Sequence, residues 1–261
     1  MSRLTPPRAV FFDWHGTLAD TFEAMYRAVD EMLPLLAELG LASRLREPGH
    51  GLIPEHDAFV AHVRAHRRLP PDVKRERRIS RTEMFEILFG PDADAKHVAH
   101  EAFDRCYMRH FGAVQPFEPG VRAMLGKLRS AGLATGMLTN RRRALFSREL
   151  GEVDGSGWKD LFDVVVCGDD VRRRKPSADM VLRALGELGS SPGPEIWFVG
   201  DSTTDTVAAK EAGVTAIYYN GAKWAPEQLV RIFPGGHRPD AIAGDFAALQ
   251  ALALPPRRCS G

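Results

Sequence analysis

Long apolar runs are missing from this 261-residue chain. No uninterrupted stretch approaches the roughly 20 residues of a membrane span, so no membrane partner is expected. Cysteine is scarce: Cys106, Cys167 and Cys259 lie far apart and are odd in number. That usage argues against a disulfide framework and a zinc cluster, and fits a reducing, cytoplasmic setting. An excess of one charge is missing too. The formal net charge is +1, so no global field steers the chain toward nucleic acid or membrane. There is no internal repeat or low-complexity tract, and Met1 to Arg8 lacks the long apolar region of a secretory signal. What remains is 44% hydrophobic and 26% charged, ordinary for a soluble globular protein. The length suits one large domain or a core with a smaller second unit. The tail over 255–261 reads as disordered.

From about residue 116 onward, strand and helix patterns alternate. Leu133 to Leu138 is a strand candidate, and Asp163 to Cys167, Glu195 to Val199 and Val214 to Tyr219 are short apolar runs with β-branched residues. Helix-like stretches lie at 121–130 and near 141–150, 177–188 and 204–212. This rhythm predicts βαβ units and a parallel sheet, and right-handed crossovers put helices on both of its faces. Residues 20–115 contain little that reads as strand. Thr21 to Leu39 carries apolar residues at helical spacing, with Asp20 placed to cap it and Pro34 placed to kink it or end its first part. His56 to His66, Ser80 to Phe89 and Asp92 to His110 are further helix candidates; Ser80 and Glu83 have capping-box spacing. The expectation is an α/β fold: a three-layer, Rossmann-like parallel sheet core over 1–19 and 116–261, with a helical insert over 20–115.

Chemistry concentrates at the ends of the strand candidates. Val10-Phe11-Phe12 stops at Asp13, followed by Trp14-His15-Gly16-Thr17. A buried parallel strand delivers an acid in this way to the carboxyl end of a sheet, where open α/β folds bind ligands. Such an aspartate can attack phosphorus or hold a metal ion, although a plain turn with Asp13 capping a helix gives the same pattern. Val199-Gly200-Asp201-Ser202-Thr203-Thr204-Asp205 repeats the motif with two acids, which suit a hard divalent cation, or equally a helix N-cap. Leu138-Thr139-Asn140 ends a strand in a hydroxyl and an amide, which with the following backbone N–H groups can hold phosphate oxygens or cap a helix. Arg172-Arg173-Arg174-Lys175-Pro176 is a cationic run; a lysine beside several carboxylates relieves their repulsion, whereas in isolation such a run is a solvated surface.

Taken together, Asp13-Trp14-His15-Gly16-Thr17, Leu138-Thr139-Asn140, Lys175-Pro176 and Gly200-Asp201 to Asp205 resemble the motifs of the haloacid dehalogenase-like hydrolases, chiefly the phosphatases. The core of the resemblance covers residues 8–19 and roughly 116–254, and the insert falls where that family places an all-helical cap domain. The resemblance implies a magnesium-dependent phosphatase of a small phosphorylated metabolite. Asp13 would be the nucleophile that forms an aspartyl-phosphate. Mg2+ would be held by Asp13, the backbone carbonyl of His15 and Asp201, with Asp205 in the inner or outer shell. Thr139, Asn140 and Lys175 would hold the phosphoryl group.

His15 departs from the pattern, since the family's phosphatases usually carry a second aspartate there. An imidazole can protonate a leaving group and activate water near neutral pH, its unperturbed pKa being about 6.5. The alternative makes His15 only a backbone metal ligand and the chain a phosphate-ligand-binding or weakly active homologue. Dehalogenation at carbon fits poorly, because the family's dehalogenases need no metal and typically lack the acid-rich motif found at 200–205. A carbon–phosphorus hydrolase would want a cap lysine, for which Lys74 is the lone candidate in the insert's first half, and a phosphomutase normally keeps the second acid. From His62 to Arg81 of the insert, the cations Arg64, Arg67, Arg68, Lys74, Arg75, Arg77, Arg78 and Arg81 are matched within that stretch only by Asp72 and Glu76. One or two of them can bind an anionic leaving group, the rest being solvated; a nucleic-acid end would want aromatic stacking residues that the stretch lacks. His62 and His66 share a helix face without a carboxylate close in sequence to complete a metal site.

Overall fold

In a computed structural model of the chain, residues 4–51, 53–76, 79–110, 114–233 and 238–254 are described. Arg77, Arg78, His237, Cys259 and the tail over 255–261 lie outside them. The strands are β1 (Ala9–Phe12), β2 (Ala19–Asp20), β3 (Gln115–Pro116), β4 (Ala134–Thr139), β5 (Val164–Cys167), β6 (Ile196–Gly200), β7 (Thr215–Tyr219) and β8 (Ala241–Ala243). The helices are α1 (Phe22–Met32), α2 (Pro54–His66), α3 (Pro71–Glu76), α4 (Arg81–Phe89), α5 (Ala93–Tyr107), α6 (Val121–Ser130), α7 (Arg143–Glu152), α8 (Asp179–Glu187), α9 (Thr203–Glu211), α10 (Pro226–Ile232) and α11 (Phe246–Ala253). The chain divides into two compact units, Met1–Asp20 with Val114–Gly261, and Thr21–Ala113.

In the first unit a six-stranded sheet runs in the order β5-β4-β1-β6-β7-β8, every pairing parallel. All four residues of β1 are buried, as a strand covered on both faces requires. Val10 and Phe12 join one apolar cluster with residues of α6, α7 and α11, whereas Ala9 and Phe11 join another with residues of α8 and α9. The alternation of side chains along a strand thus divides the core into two layers around the sheet. Chain connectivity reverses beside β1, which is followed by β4 and β5 on one side and by β6, β7 and β8 on the other. Open α/β sheets bind ligands at the carboxyl ends of strands where the order switches in this way.

The strand bounds differ from the expected ones by a residue or so. β8 and the two-residue ladder of β2 with β3 were not anticipated, and neither were α3, α10 and α11. Asp20 does not cap α1. It pairs with Gln115 in that ladder, and Thr21 takes the N-cap position without a side-chain cap bond. Pro34 acts as expected: α1 stops at Met32 and a tight 3-10 turn over Leu33–Leu36 follows.

In the second unit every described element from Phe22 to Tyr107 is helical. The Ser80–Glu83 capping box at the start of α4 forms: Ser80 N donates to Glu83 at 2.9 Å and Glu83 N to Ser80 Oγ at 3.3 Å. Several of the insert's cations are committed inside the unit. Arg64 pairs with Glu47 and donates to the Leu45 carbonyl, Lys74 pairs with Asp30, Arg75 pairs with Asp72, and buried Arg81 pairs with Asp104 over the ring of Phe103. The rings of His62 and His66 lie 4.5 Å apart.

Candidate active site

The register of the sheet assembles the site. Phe12 lies beside Met137 of β4 and Val199 of β6, so the residues just past these positions emerge at one edge together. Asp13 N donates to Val199 O at 2.9 Å, which fixes the start of the first loop on β6. Gly16 sits at φ +78, and a Cβ there would lie 2.2 Å from Asp201 Oδ2. Glycine is therefore needed twice over, for the backbone turn and for the approach of Asp201. Thr17 Oγ1 donates to Asp201 Oδ1 at 3.4 Å from the same turn. At Gly200 a Cβ would meet the side chain of Asp205 at 2.3 Å, so the bare backbone lets the first turn of α9 fold back over the strand end.

Asp13, Asp201 and Asp205 each bring a carboxylate oxygen within 4.8 Å of the others. Among the described residues this is the only group of three or more His, Cys, Asp or Glu side chains so gathered; it includes neither the His15 ring nor the His62–His66 pair. Three carboxylates supply the hard oxygen donors that a divalent cation of the magnesium type prefers, so the residues present fit such an ion.

Lys175 lies against two of these three acids. Its Nζ donates to Asp13 Oδ1 at 2.6 Å and to Leu138 O at 2.8 Å, and pairs with Asp205 Oδ1 at 2.8 Å. The Phe198 ring lies beneath it, 5.3 Å away. An ammonium has three N–H donors; hydrogen bonds to Asp13 and Leu138 take two of them, and the charge of the group also faces Asp205. Lys175 thus balances two buried acids. Burial pushes the Asp13 carboxyl up to about 6, with the charge of Asp205 adding to the rise and that of Lys175 opposing it. Burial works to lower the Lys175 pKa, but Asp13 and Asp205 outweigh it and hold the ammonium above its ordinary value.

The remaining expected residues are placed as follows. Thr139 is buried at the end of β4, and its Oγ1 accepts from Arg141 N at 3.2 Å, so the hydroxyl keeps its own proton for an acceptor. Asn140 turns its amide to the backbone of Lys175: Nδ2 donates to Lys175 O at 3.0 Å and Oδ1 accepts from Lys175 N at 2.9 Å. Its side chain joins two loops, whereas the sequence reading set it on the phosphate. Asp205 Oδ2 accepts from Ser202 N at 3.1 Å and Ser202 Oγ at 2.7 Å, and its Oδ1 faces the Lys175 ammonium. Half-buried His15 lies in the tight turn in which Gly16 N donates to Ala19 O. Trp14 is fully buried in the core between Phe146 and Trp158.

Reading the sequence missed Glu149 altogether. Its wholly buried carboxylate accepts from Trp14 Nε1 at 2.8 Å and pairs with buried Arg141 at 3.2 Å. In the sequence it is one acid in a charged helix, with nothing to distinguish it from a solvated one.

The sequence pattern described as haloacid dehalogenase-like hydrolase matches residues 7–213. The phosphoglycolate phosphatase of Salmonella paratyphi A is 32% identical over 98% of this chain and 96% of its own length. That of Yersinia pestis is 30% identical over 95% of this chain and 94% of its own. Among solved structures, a Bacteroides fragilis protein assigned to the haloacid dehalogenase-like hydrolases has a TM-score of 0.63 at 22% identity, covering 93% of this chain and 99% of that one. At that identity the likeness speaks for the fold alone.

Proposed function

The chain belongs to the haloacid dehalogenase-like hydrolases and is a phosphoric monoester hydrolase; on that premise we propose that it is a magnesium-dependent phosphatase of a small phosphorylated carboxylic acid such as phosphoglycolate, working through an aspartyl-phosphate on Asp13. One observation carries this reading: the carboxylates of Asp13, Asp201 and Asp205 converge at the switch point of a parallel sheet, with the Lys175 ammonium against Asp13 and Asp205. The full-length similarity to phosphoglycolate phosphatases supports the substrate class. Those relatives are named as enzymes and lend no support to a ligand-binding protein without turnover. The unit over Thr21–Ala113 is assigned as the cap from its place in the chain, inserted after the first loop. Buried, free Cys106 and Cys167 fit a cytoplasmic location.

Asp13, Asp201 and the His15 carbonyl would hold the magnesium ion, with Asp205 supporting them from its bonds to Lys175 and Ser202. Bound there, the ion supplies positive charge that lets an anionic nucleophile meet an anionic phosphoryl group. A carboxylate oxygen of Asp13 forms a bond to phosphorus as the bond from phosphorus to the leaving oxygen breaks. Protonated His15 gives its proton to that oxygen. The hydroxyl of Thr139 donates to the phosphoryl group, and Lys175 keeps the buried acids compatible with ionised Asp13. In the second half, neutral His15 takes a proton from water as the water oxygen bonds to phosphorus, releasing inorganic phosphate and the Asp13 carboxylate.

The test is phosphate release from phosphoglycolate and a panel of small phosphomonoesters, by wild type and His15→Ala, with magnesium or a chelator. Release is expected with magnesium only, with phosphoglycolate among the best substrates. His15→Ala is expected to lose on the order of 10²–10⁴ in kcat on phosphoglycolate, and far less on p-nitrophenyl phosphate, whose leaving group barely needs a proton. Equal rates for His15→Ala and wild type on phosphoglycolate would remove the acid/base role. No release across about pH 5–9 by wild type would remove the enzyme.

The pKa of Asp13 gives a further expectation. With the carboxyl at about 6 before any cation binds, the acidic limb of kcat/KM reflects ionisation of the nucleophile. A divalent cation favours the ionised form and lowers the pKa, so the limb should move to lower pH by about one unit or more from sparse to saturating magnesium. pH–rate profiles at two magnesium concentrations check this; a limb that stays put would mean that the ion does not sense Asp13.

A further inference from the structure

The mechanism leaves one buried acid unused. Glu149 of α7 has no exposed surface, yet it lies far in sequence from the loop that it touches. One oxygen takes the indole N–H of Trp14 at 2.8 Å, and the other pairs with Arg141 at 3.2 Å. Trp14 follows the proposed nucleophile directly, and Arg141 follows Thr139 and Asn140. Arg141 N in turn donates to Thr139 Oγ1, so the pair reaches the hydroxyl that faces the phosphoryl group in the proposed reaction.

We propose that Glu149 is a positioning residue, which sets the loop of Asp13 against the loop of Thr139 through Trp14 and Arg141. This rests on the hydrolase reading above. Three observations lead to it. The Trp14 ring is held edge-on by Phe146 at 5.2 Å and Trp158 at 5.8 Å, so a bond at its Nε1 fixes the backbone that carries Asp13. Burying a carboxylate and a guanidinium is costly, and an apolar pair of similar volume would serve the core at least as well. The Asn140 amide joins the same second loop to Lys175, whose ammonium returns to Asp13. The loops therefore form a closed ring, Trp14–Glu149–Arg141, Asn140–Lys175 and Lys175–Asp13. Glu149 is the member of that ring that a helix outside the strand-end loops supplies.

The hydrogen bond to Trp14 can be tested apart from the charge pair. Glu149→Gln with Arg141→Met removes both charges and keeps an acceptor for the indole. Glu149→Leu with Arg141→Met removes the acceptor as well. Hydrolysis of p-nitrophenyl phosphate with magnesium is measured for both, on protein shown to be folded by its Tm. The Leu pair is expected to have kcat on the order of 10–100-fold below the Gln pair, with KM within about twofold, because misplacement of a reacting group acts on the chemical step. Trp14→Phe removes the same donor from the other side. It should lower kcat by a similar factor and add little when combined with the Leu pair, since both changes cut one link. Equal kcat in the two pairs would overturn the proposal, as would full additivity with Trp14→Phe.

Binding of inorganic phosphate in the presence of magnesium, followed by calorimetry, gives a second arm. The Leu pair should bind at least several-fold more weakly than the Gln pair, and equal affinity counts against the proposal. A wild type that binds phosphate but hydrolyses nothing overturns the hydrolase reading and leaves this arm to decide. A wild type that does neither overturns both.

Discussion

Asp13→Asn should abolish phosphate release, lowering kcat on p-nitrophenyl phosphate by at least about 10⁴-fold, the scale on which removal of a nucleophile acts elsewhere. An amide has the shape of the carboxylate but does not attack phosphorus. Because the asparagine oxygen still accepts from Lys175 Nζ, and Lys175 keeps Asp205 and the Leu138 carbonyl, the ammonium is not stranded. Loss of a buried charge beside Asp205 also removes a repulsion that raises the Asp13 pKa. The variant should therefore melt no lower than wild type in the absence of metal. Mass spectrometry of acid-quenched wild type during turnover should show one added phosphoryl group on the peptide containing Asp13, and none in Asp13→Asn. A variant that retains a hundredth or more of the wild-type rate would assign the attack to another group.

Lys175→Met should have the second-largest effect, on both rate and stability. The substitution leaves Asp13 and Asp205 buried together without the ammonium that lies 2.6 and 2.8 Å from them. Removing one partner of a buried ion pair typically costs about 3–5 kcal/mol. Part of that cost is avoided by protonation: without Lys175, the Asp13 carboxyl, already raised by burial, rises further. The sign of the pH dependence follows. The folded variant then binds a proton that the unfolded chain releases near the ordinary aspartate pKa, so stability relative to wild type is greatest in acid and falls as pH rises through that range and above it. Tm should drop more at pH 7.5 than at pH 5, about the upper and lower sides of the Asp13 value, and magnesium should restore part of it. kcat should fall on the order of 10²–10³-fold, as when one preorganised donor is lost from a charged site. Unchanged Tm at both pH values would mean that the lysine is not the counter-charge of the two acids.

The parts of the fold legible in the sequence are those with a strong local signature. Val10–Phe12 reads as a buried strand because a short apolar run ends at an acid, and the Ser80–Glu83 box announces the start of α4. Pro34 stops α1 because it has no N–H to donate to the preceding turn. What escaped notice depends on partners remote in the chain. β8 is three residues, Ala241–Ala243, and becomes a strand by pairing with β7. Asp20 has the chemistry of an N-cap, but pairing with Gln115 places it in a ladder instead. In the site, the residue types at 13, 139, 175, 201 and 205 stand out because acids and a hydroxyl follow or end apolar strands and a lysine closes a cationic run just before a helix. The bonds of Asn140 and Glu149 do not stand out. An amide after a threonine suits a phosphate as well as a neighbouring loop, and an acid within α7 looks solvated until Trp14 is found against it.

β1 has a consequence for how the protein comes into being. It precedes both of its neighbours in the sheet, β4 and β6, the latter ending at Gly200. Until both have been synthesised, this wholly buried strand lacks at least one of its mates, and Asp13 lacks Asp205 beside it. Non-local pairing of this kind slows assembly and leaves a sticky segment waiting. A nascent chain halted short of Gly200 would thus be a client for chaperones, and it would carry Asp13 without Asp201 and Asp205.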